Sequence, residues 1–411
     1  MRISTALLSA LLFSAAQAQE TVTVTTTPGY AEQLWYSLAD GPQGHAAANQ
    51  WDLAFEINGG FTVSVQVNTA IGERVFQSPY TVAQWAQVDT LGMAAGWPAL
   101  IGSDTSWSYG ALNQNISGEF DLGWGSYNMA THVVVGDSVF VLQLANGDWK
   151  KLRIDALATG VYTFTYSALD GSSEHTGTIA KADYTGKNFA YWNMSTNAVI
   201  DREPQTGSWD LLFTKYTTLL GPGMPYGVTG ALQNKGVSVA QVNDLPPAEA
   251  THEGQTYASA INTIGYDWKY FDMTNMVYVI DDSLTYFVKD LPGNLWKVVF
   301  TEFGGGATGD ITFTKELISA VGIDEPAPAG QVVLYPNPVE NGQVQLVLDV
   351  PATQADVAVF DLTGKQVAGA RFGSITPLAV RTLDVSTLAP GTYAVRVQHA
   401  QGQLVSKLVV R

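Results

Sequence analysis

The 411-residue chain contains no cysteine. That single absence excludes disulfides, thiolate metal sites and cysteine nucleophiles, so packing alone must hold the fold. Basic residues are scarce as well: 20 Lys and Arg stand against 37 Asp and Glu, a net charge of −17. Nucleic acid and anionic lipid are both recognised through Lys and Arg patches, so neither is expected as a partner. The five histidines (His45, His132, His175, His252 and His399) are scattered, and none pairs at metal-ligand spacing. No metal site is expected. There is no His-Glu-x-x-His, no Gly-x-Ser-x-Gly and no phosphate loop ending in Gly-Lys-Ser/Thr. Carboxylate neighbours such as Asp281-Asp282 sit at strand entries, where a solvated turn accounts for them. No catalytic residue is assigned, and an enzyme is not expected. No apolar run reaches the roughly 18 residues of a membrane helix. Sustained 3.6-residue periodicity is missing too, which leaves an all-β chain of antiparallel sheets.

What the chain does have is aromatic and turn-forming: 11 Trp, 18 Tyr, 16 Phe and 40 Gly, with 46% apolar residues overall. Such a composition suits many short strands joined by tight turns around sizeable cores. Residues 1–18 read as a signal peptide. Arg2 is the positive start, Ala6 to Ala16 is mostly apolar, and Ala16-Gln17-Ala18 is a cleavage signal. Cleavage there makes the protein an exported one.

One strand is written twice. Trp51-Asp52-Leu53-Ala54-Phe55 returns as Trp209-Asp210-Leu211-Leu212-Phe213. Alternation puts Trp51, Leu53 and Phe55 on one face, as it does Trp209, Leu211 and Phe213. Other anchors follow in the same order. Trp35-Tyr36-Ser37-Leu38 precedes the first strand as Tyr191-Trp192-Asn193-Met194 precedes the second. Trp124-Gly-Ser-Tyr127-Asn128-Met129 matches Trp268-Lys-Tyr-Phe271-Asp272-Met273, and both copies close on Thr-Phe-Thr. The chain is a tandem duplication, with repeat one expected over 19–183 and repeat two over 184–320. The irregular stretches 78–123 and 236–266 are long connections, where binding groups tend to sit on a rigid scaffold.

A Pro- and Ala-rich linker spans 321–331, and residues 332–411 read as a separate β-sandwich of immunoglobulin-like form. Val344, Leu346 and Leu348 alternate, as do Val357 with Val359 and Tyr393 with Val395 and Val397. Turn signals fall between these runs at even spacing.

Met129 and Met273 each end an aromatic run just before a strand. On residue type alone two readings stay open: a flexible side chain filling an uneven core gap, or a soft thioether ligand for haem iron. His252, in the long connection of copy two, and Met93, in that of copy one, are the candidates for a second axial ligand. Trp268, Tyr270 and Tyr257 would wall such a pocket, and Lys235, Lys269 or Arg202 would meet the propionates.

The Trp-Asp-Leu-x-Phe strand, the Trp-x-x-aromatic run and the hairpin Val-Phe-Val-Leu-Gln-Leu-Ala-Asn-Gly-Asp-Trp-Lys-Lys-Leu resemble the HmuY family of haem-binding lipoproteins, over about residues 30–318. The resemblance implies twisted antiparallel sheets and a haemophore-like role with haem or a related tetrapyrrole as cofactor. It carries the family's axial position, two residues after the aromatic, onto Met129 and Met273. The tail resembles a second family. Leu334-Tyr335-Pro336-Asn337-Pro338, Val359-Phe360-Asp361-Leu362-Thr363-Gly364-Lys365 and Leu388-Ala389-Pro390-Gly391-Thr392-Tyr393 are similar to the C-terminal sorting domain of the type IX secretion system. That implies the type IX machinery as a partner, and secretion or attachment to surface lipopolysaccharide in a Bacteroidota-type bacterium. Two functions are therefore expected of the chain: tetrapyrrole binding, or a structural or adhesive surface role without a haem ligand.

Overall fold

The structure is a computed structural model, and it describes residues 19–59, 63–221, 223–320, 331–361, 363–399 and 402–411. The expected signal peptide lies outside the described residues, as does all but the last residue of the expected linker. Most regular elements are strands, and no helix among the described residues is longer than the six residues of Val82–Gln87. The all-β expectation holds.

Before the tail, the chain builds two sandwiches of two sheets each. In unit one the larger sheet runs His175–Ala180, Val161–Ala168, Trp149–Ala158, Ser138–Gln143, Arg74–Thr81 and Ala99–Leu100. Facing it is a sheet of Ala198–Ile200, Phe189–Asn193, Leu53–Glu56 and Val65–Val67. Unit two repeats the plan. Glu20–Thr25, Asp310–Ser319, Leu295–Phe303, Thr285–Lys289 and Ser238–Val242 face Pro225–Gln233, Leu211–Leu219, Glu32–Ser37 and Gly41–Ala47. Each core fills the gap between its sheets. Leu53 and Phe55 meet Phe140, Leu152 and Phe164 in one; Leu211 and Phe213 meet Tyr286, Phe300 and Phe313 in the other.

The two units exchange their opening strands. Trp35-Tyr36, at the start of copy one, pairs with the Trp-Asp strand of copy two: Tyr36 lies opposite Leu211 and Trp35 opposite Leu212. Tyr191-Trp192, at the start of copy two, pairs with the Trp-Asp strand of copy one: Trp192 lies opposite Leu53 and Tyr191 opposite Ala54. The aspartates tie the exchange at both ends. Asp210 Oδ2 accepts from the Leu38 N–H at 2.7 Å, and Asp52 Oδ2 accepts from the Met194 N–H at 2.5 Å. A division at 183/184 therefore separates strands that share a sheet. The repeat pattern places each strand in its copy, but a strand with an apolar face pairs equally well with its partner's twin in the other copy.

A second difference concerns the Trp-Asp face. Leu53 and Phe55 enter the core as expected, but Trp51 packs with Ala54, Phe189 and Tyr191, and Trp209 with Trp35 and Leu212. The strands begin only at Leu53 and Leu211. Alternation does not reach back to the tryptophans, which lie in the seam between the units.

That seam is filled by side chains from both copies. Trp107, from the long connection of copy one, touches three seam clusters and donates its Nε1–H to the Gln233 carbonyl at 2.9 Å. Beside it the Ile261 N–H donates to the Thr105 carbonyl at 3.0 Å, and Thr218 donates to the Asp104 carboxylate. The fully buried Glu56 of copy one pairs with Lys235 of copy two and accepts from the Ser64 N–H at 2.7 Å. The sequence marks this long connection as a place where binding groups tend to sit. Instead it staples one unit to the other.

Glu203 is buried in the same seam, accepting from the Asn188 N–H at 2.9 Å and the Tyr191 hydroxyl at 2.8 Å. Burial pushes its carboxyl up to about 7, and burial pushes Asp210 up to about 6. A raised carboxyl pKa gives stability that is full below the unfolded value and is lost as pH rises through the folded one. Lys269 and Lys181, pushed down by burial to about 7 and 8, add stability only above those values and leave the lower window unaffected. Urea midpoints should accordingly fall from pH 5 to pH 7. Glu203→Gln should remove about 2 kcal/mol of the fall, the remainder coming from Asp210 and from Glu73, whose carboxyl is pushed up by burial to about 10. An E203Q variant with an unchanged pH slope would contradict this assignment.

The tail is the expected sandwich. Val332–Tyr335, Gln343–Leu348 and Val380–Asp384 form one sheet; Gln366–Phe372, Ala355–Phe360, Gly391–His399 and Gly402–Val410 form the other. Val344, Leu346, Leu348, Val357, Val359, Val395 and Val397 fill its core.

Candidate binding surface

Each unit carries one two-stranded hairpin: Gly125–Asn128 with Val133–Gly136 in unit one, and Lys269–Asp272 with Val277–Ile280 in unit two. They align without a gap from Trp124 to Gly136 on Trp268 to Ile280. Met129 and Met273 sit in their turns. Asn128 Oδ1 accepts from the Ala130 and Thr131 N–H groups at 2.9 and 3.1 Å, and Asp272 Oδ1 from Thr274 and Asn275 at 2.8 and 3.2 Å. The turns close on His132 and Met276, both at φ 57°. These are Asx-turns, in which the side chain stands in for a backbone acceptor.

The same turn follows the opening strand of copy two, where Asn193 Oδ1 accepts from Ser195 and Thr196 at 3.0 and 2.8 Å. A hydroxyl version follows that of copy one, where Ser37 Oγ accepts from the Asp40 N–H at 3.2 Å. In those two turns the second residue, Met194 or Leu38, is buried beneath the Trp-Asp strand of the other copy. In the hairpins nothing covers it: Met129 is 45% exposed and Met273 75%. Neither methionine fills a core gap.

Nor does the fold bring the haem candidates together. His252 packs its ring 5.9 Å from that of Phe287, a residue between the core-facing Tyr286 and Val288 and so on the outer face of its sheet. The hairpin of Met273 is rooted on the inner face through Trp268 and Ile280. Met93 likewise lies outside, against Val139 and Val141, while the hairpin of Met129 is anchored inside by Trp124 and Val134. A sheet separates each pair.

The expected propionate partners are also engaged elsewhere. Lys235 holds Glu56, and Lys269 Nζ donates to the Thr229 and Tyr266 carbonyls at 2.6 and 3.2 Å. Arg202 lies over the Trp35 and Tyr191 rings at 5.7 and 5.3 Å. Of the expected pocket walls, Trp268 is core and Tyr257 lies under Lys289. A cavity in the seam, among Trp35, Trp107, Phe189, Tyr191, Trp209 and Glu203, has a volume near 10 Å³. It has room for about one water. These residues do not fit a haem clamped between them.

The two hairpins differ in what surrounds them. In unit one, Val134 and Val135 pair with Leu157 and Ala156 of the large sheet. The other edge is covered by the short segment Phe120 to Leu122, which enters it from a turn. The Tyr127 N–H donates to the Phe120 carbonyl and the Leu122 N–H to the Gly125 carbonyl, both at 2.8 Å, and the Phe120 and Tyr127 rings lie 6.5 Å apart. In unit two, among the described residues, the hairpin is a sheet of two strands only.

Two substitutions between the copies explain the difference. A Cβ on Gly136 would collide with the Ile154 carbonyl, and one on Gly125 would sit 2.5 Å from the Val135 carbonyl oxygen. Unit two has Ile280 and Lys269 at those positions, so its hairpin cannot settle as closely. The segment matching Phe120–Leu122 is also drawn away. Gly265 exchanges two hydrogen bonds with Ala231, at 3.0 and 3.1 Å, and Ile264 enters the core.

The freed hairpin exposes Tyr270 (60%), Phe271, Met273, Met276, Val277 and Tyr278. Exposed carboxylates of Asp267, Asp281 and Asp282 adjoin its two ends in sequence, while the Lys269 ammonium is turned inward. A second apolar projection of unit two, the turn after Leu211–Leu219, exposes Leu219, Leu220, Met224 and Tyr226. The one sequence signal for the free hairpin is the exchange of Gly125 and Gly136 for Lys269 and Ile280.

Comparison with known protein families identifies the tail. Residues 333–411 match the secretion system C-terminal sorting domain. This domain marks the protein for type IX secretion to the cell surface or for export. No curated protein matches the chain in sequence. Among solved structures, a Parabacteroides merdae β-glucuronidase is 12% identical over 50% of this chain and 28% of its own, with a TM-score of 0.15. A Ruminococcus gnavus β-glucuronidase is 8% identical over 58% of this chain and 40% of its own, at 0.16. The BSP domain of a biofilm-associated protein is 10% identical over 98% of this chain and 68% of its own, also at 0.16. The chain thus spans well under half the length of either glucuronidase, and TM-scores this low carry no argument about activity.

Proposed function

We propose that the chain is a surface-displayed binding protein of the structural or adhesive kind, with the free hairpin Lys269–Ile280 as its contact element. The observation that carries this reading is the hairpin itself. Tyr270, Met273, Met276 and Val277 are about half or more exposed, and Phe271 and Tyr278 partly so with Tyr278 edge-on to Phe303, on an element that joins no larger sheet while its counterpart in unit one does. Exposed apolar surface of this kind costs solubility and marks interaction sites. The sorting domain supplies the location, since it directs the protein outward. The two interlocked sandwiches supply a rigid base. The haem-binding alternative has no comparable support, because its four candidate ligands attach to different faces of their sheets.

The test uses cells that secrete and display the full chain. The variant Tyr270→Ser, Met273→Ser, Met276→Ser and Tyr278→Ser should retain about a tenth or fewer of the cells held on a protein-coated surface, as expected when a few central residues dominate binding. Surface amounts are matched with antibody. Equal retention by the two strains at equal display would reject the hairpin as the contact.

A further inference from the structure

We propose that the outer edge of Lys269–Asp272 is a β-strand acceptor, receiving an extended polypeptide segment of a partner protein with apolar side chains between flanking Lys or Arg. The inference rests on the binding role proposed for this hairpin and specifies what it takes. Unit one supplies the template. There the edge of Gly125–Asn128 is met by Phe120 to Leu122, a turn and a single bridge residue, through the Tyr127 N–H, the Gly125 carbonyl and a bridge between Asp121 and Ser126. Phe271 and Lys269 occupy the places of Tyr127 and Gly125.

No strand or bridge among the described residues pairs with that edge in unit two. The segment that would have covered it is committed to Ala231. An unpaired strand edge is a template for another strand, and backbone hydrogen bonds then give affinity while alternate side chains give selectivity. The occupant's chemistry follows from the surroundings. In unit one an aromatic ring from the covering segment lies by Tyr127, and in unit two Tyr270 and Phe271 stand exposed, with Tyr278 packed edge-on against Phe303. The exposed Asp267, Asp281 and Asp282 next to the hairpin's two ends, with no outward Lys or Arg on it, favour cationic flanks. A second copy of a chain carrying −17 charges is a poor complement to these carboxylates.

The probe is a fluorescein-labelled peptide, Lys-Thr-Phe-Thr-Leu-Thr-Lys, titrated against the full chain by anisotropy. Saturable binding is expected. Phe271→Pro, which removes an edge N–H, should weaken it at least about tenfold, and more than Phe271→Ala, which keeps the backbone. Because the proline variant can disturb the hairpin, a second arm leaves the protein untouched. The same peptide N-methylated at alternate residues can no longer donate along one edge, and its binding should be lost. Serine in place of both lysines should weaken binding.

No binding at millimolar peptide, or equal binding of the N-methylated form, overturns the proposal. So does a hairpin-dependent dimer in light scattering, which would make a second copy the occupant. If cell retention depends on the hairpin side chains while the peptide fails to bind, the adhesive role stands and strand addition falls. If retention ignores them, the adhesive role itself falls.

Discussion

Cut between residues 183 and 184, neither half of the body should fold by itself. Fragment 184–320 lacks Val24, Leu34, Tyr36 and Leu38, all buried in the core of unit two. Fragment 19–183 lacks Ala190, Trp192 and Met194 from the core of unit one, and with them the edge on which Leu53–Glu56 pairs. Each large side chain withdrawn from a core costs about 2 kcal/mol. Four of them approach the entire stability of a small domain, roughly 5–15 kcal/mol. Two carboxylates are stranded as well: Asp210 loses the Leu38 N–H, and Asp52 loses that of Met194. Each fragment alone should show no cooperative urea transition. Mixed in equal amounts, the two should recover near-ultraviolet circular dichroism. A sharp transition of fragment 19–183 by itself would refute the strand exchange.

Trp107→Ala should cost the body about 3 kcal/mol, the low end for loss of a large aromatic because the ring is half-buried. The more telling effect is on cooperativity. Trp107 is the side chain at which the clusters of Tyr216 with Leu232, Trp35 with Trp209, and Phe189 with Tyr191 meet. Its removal also leaves the Gln233 carbonyl without the indole donor. Calorimetry of the wild-type body should give one main transition, and the variant a broadened or split one as the units uncouple. A single transition at an unshifted temperature would mean that the Glu56–Lys235 pair and the exchanged strands hold the seam without Trp107. The size of the effect thus measures how much of the seam's strength lies in this staple.

Much of the architecture was legible in the residues. Period-two alternation located the strands of the tail, and its three ordered motifs marked the sorting domain. The repeated Trp-Asp-Leu-x-Phe strand established the duplication, and Leu53, Phe55, Leu211 and Phe213 did become core. Asp52 and Asp210 carried less visible information. Their carboxylates reach the backbone of a turn more than 140 residues away in sequence, at Met194 and Leu38, and no local pattern names such a partner. Met129 and Met273 illustrate the same limit. One turn chemistry recurs at Leu38, Met129, Met194 and Met273, and its second residue is core in two cases and solvent-exposed in the other two.

By itself, then, the sequence determined the class of fold, the existence of two copies, the core faces of their strands and the sorting tail. These follow from local periodicity, turn residues and contiguous motifs, all of which are properties of neighbouring residues. Only the tertiary structure decided which copy each opening strand joins, that the loop bearing Trp107 fastens the units together, and that one hairpin is docked while its twin stands free. The physical reason is that two equivalent apolar strands compete for each partner almost equally. Contacts across the seam and the room left by a single glycine, Gly136 against Ile280, settle the outcome.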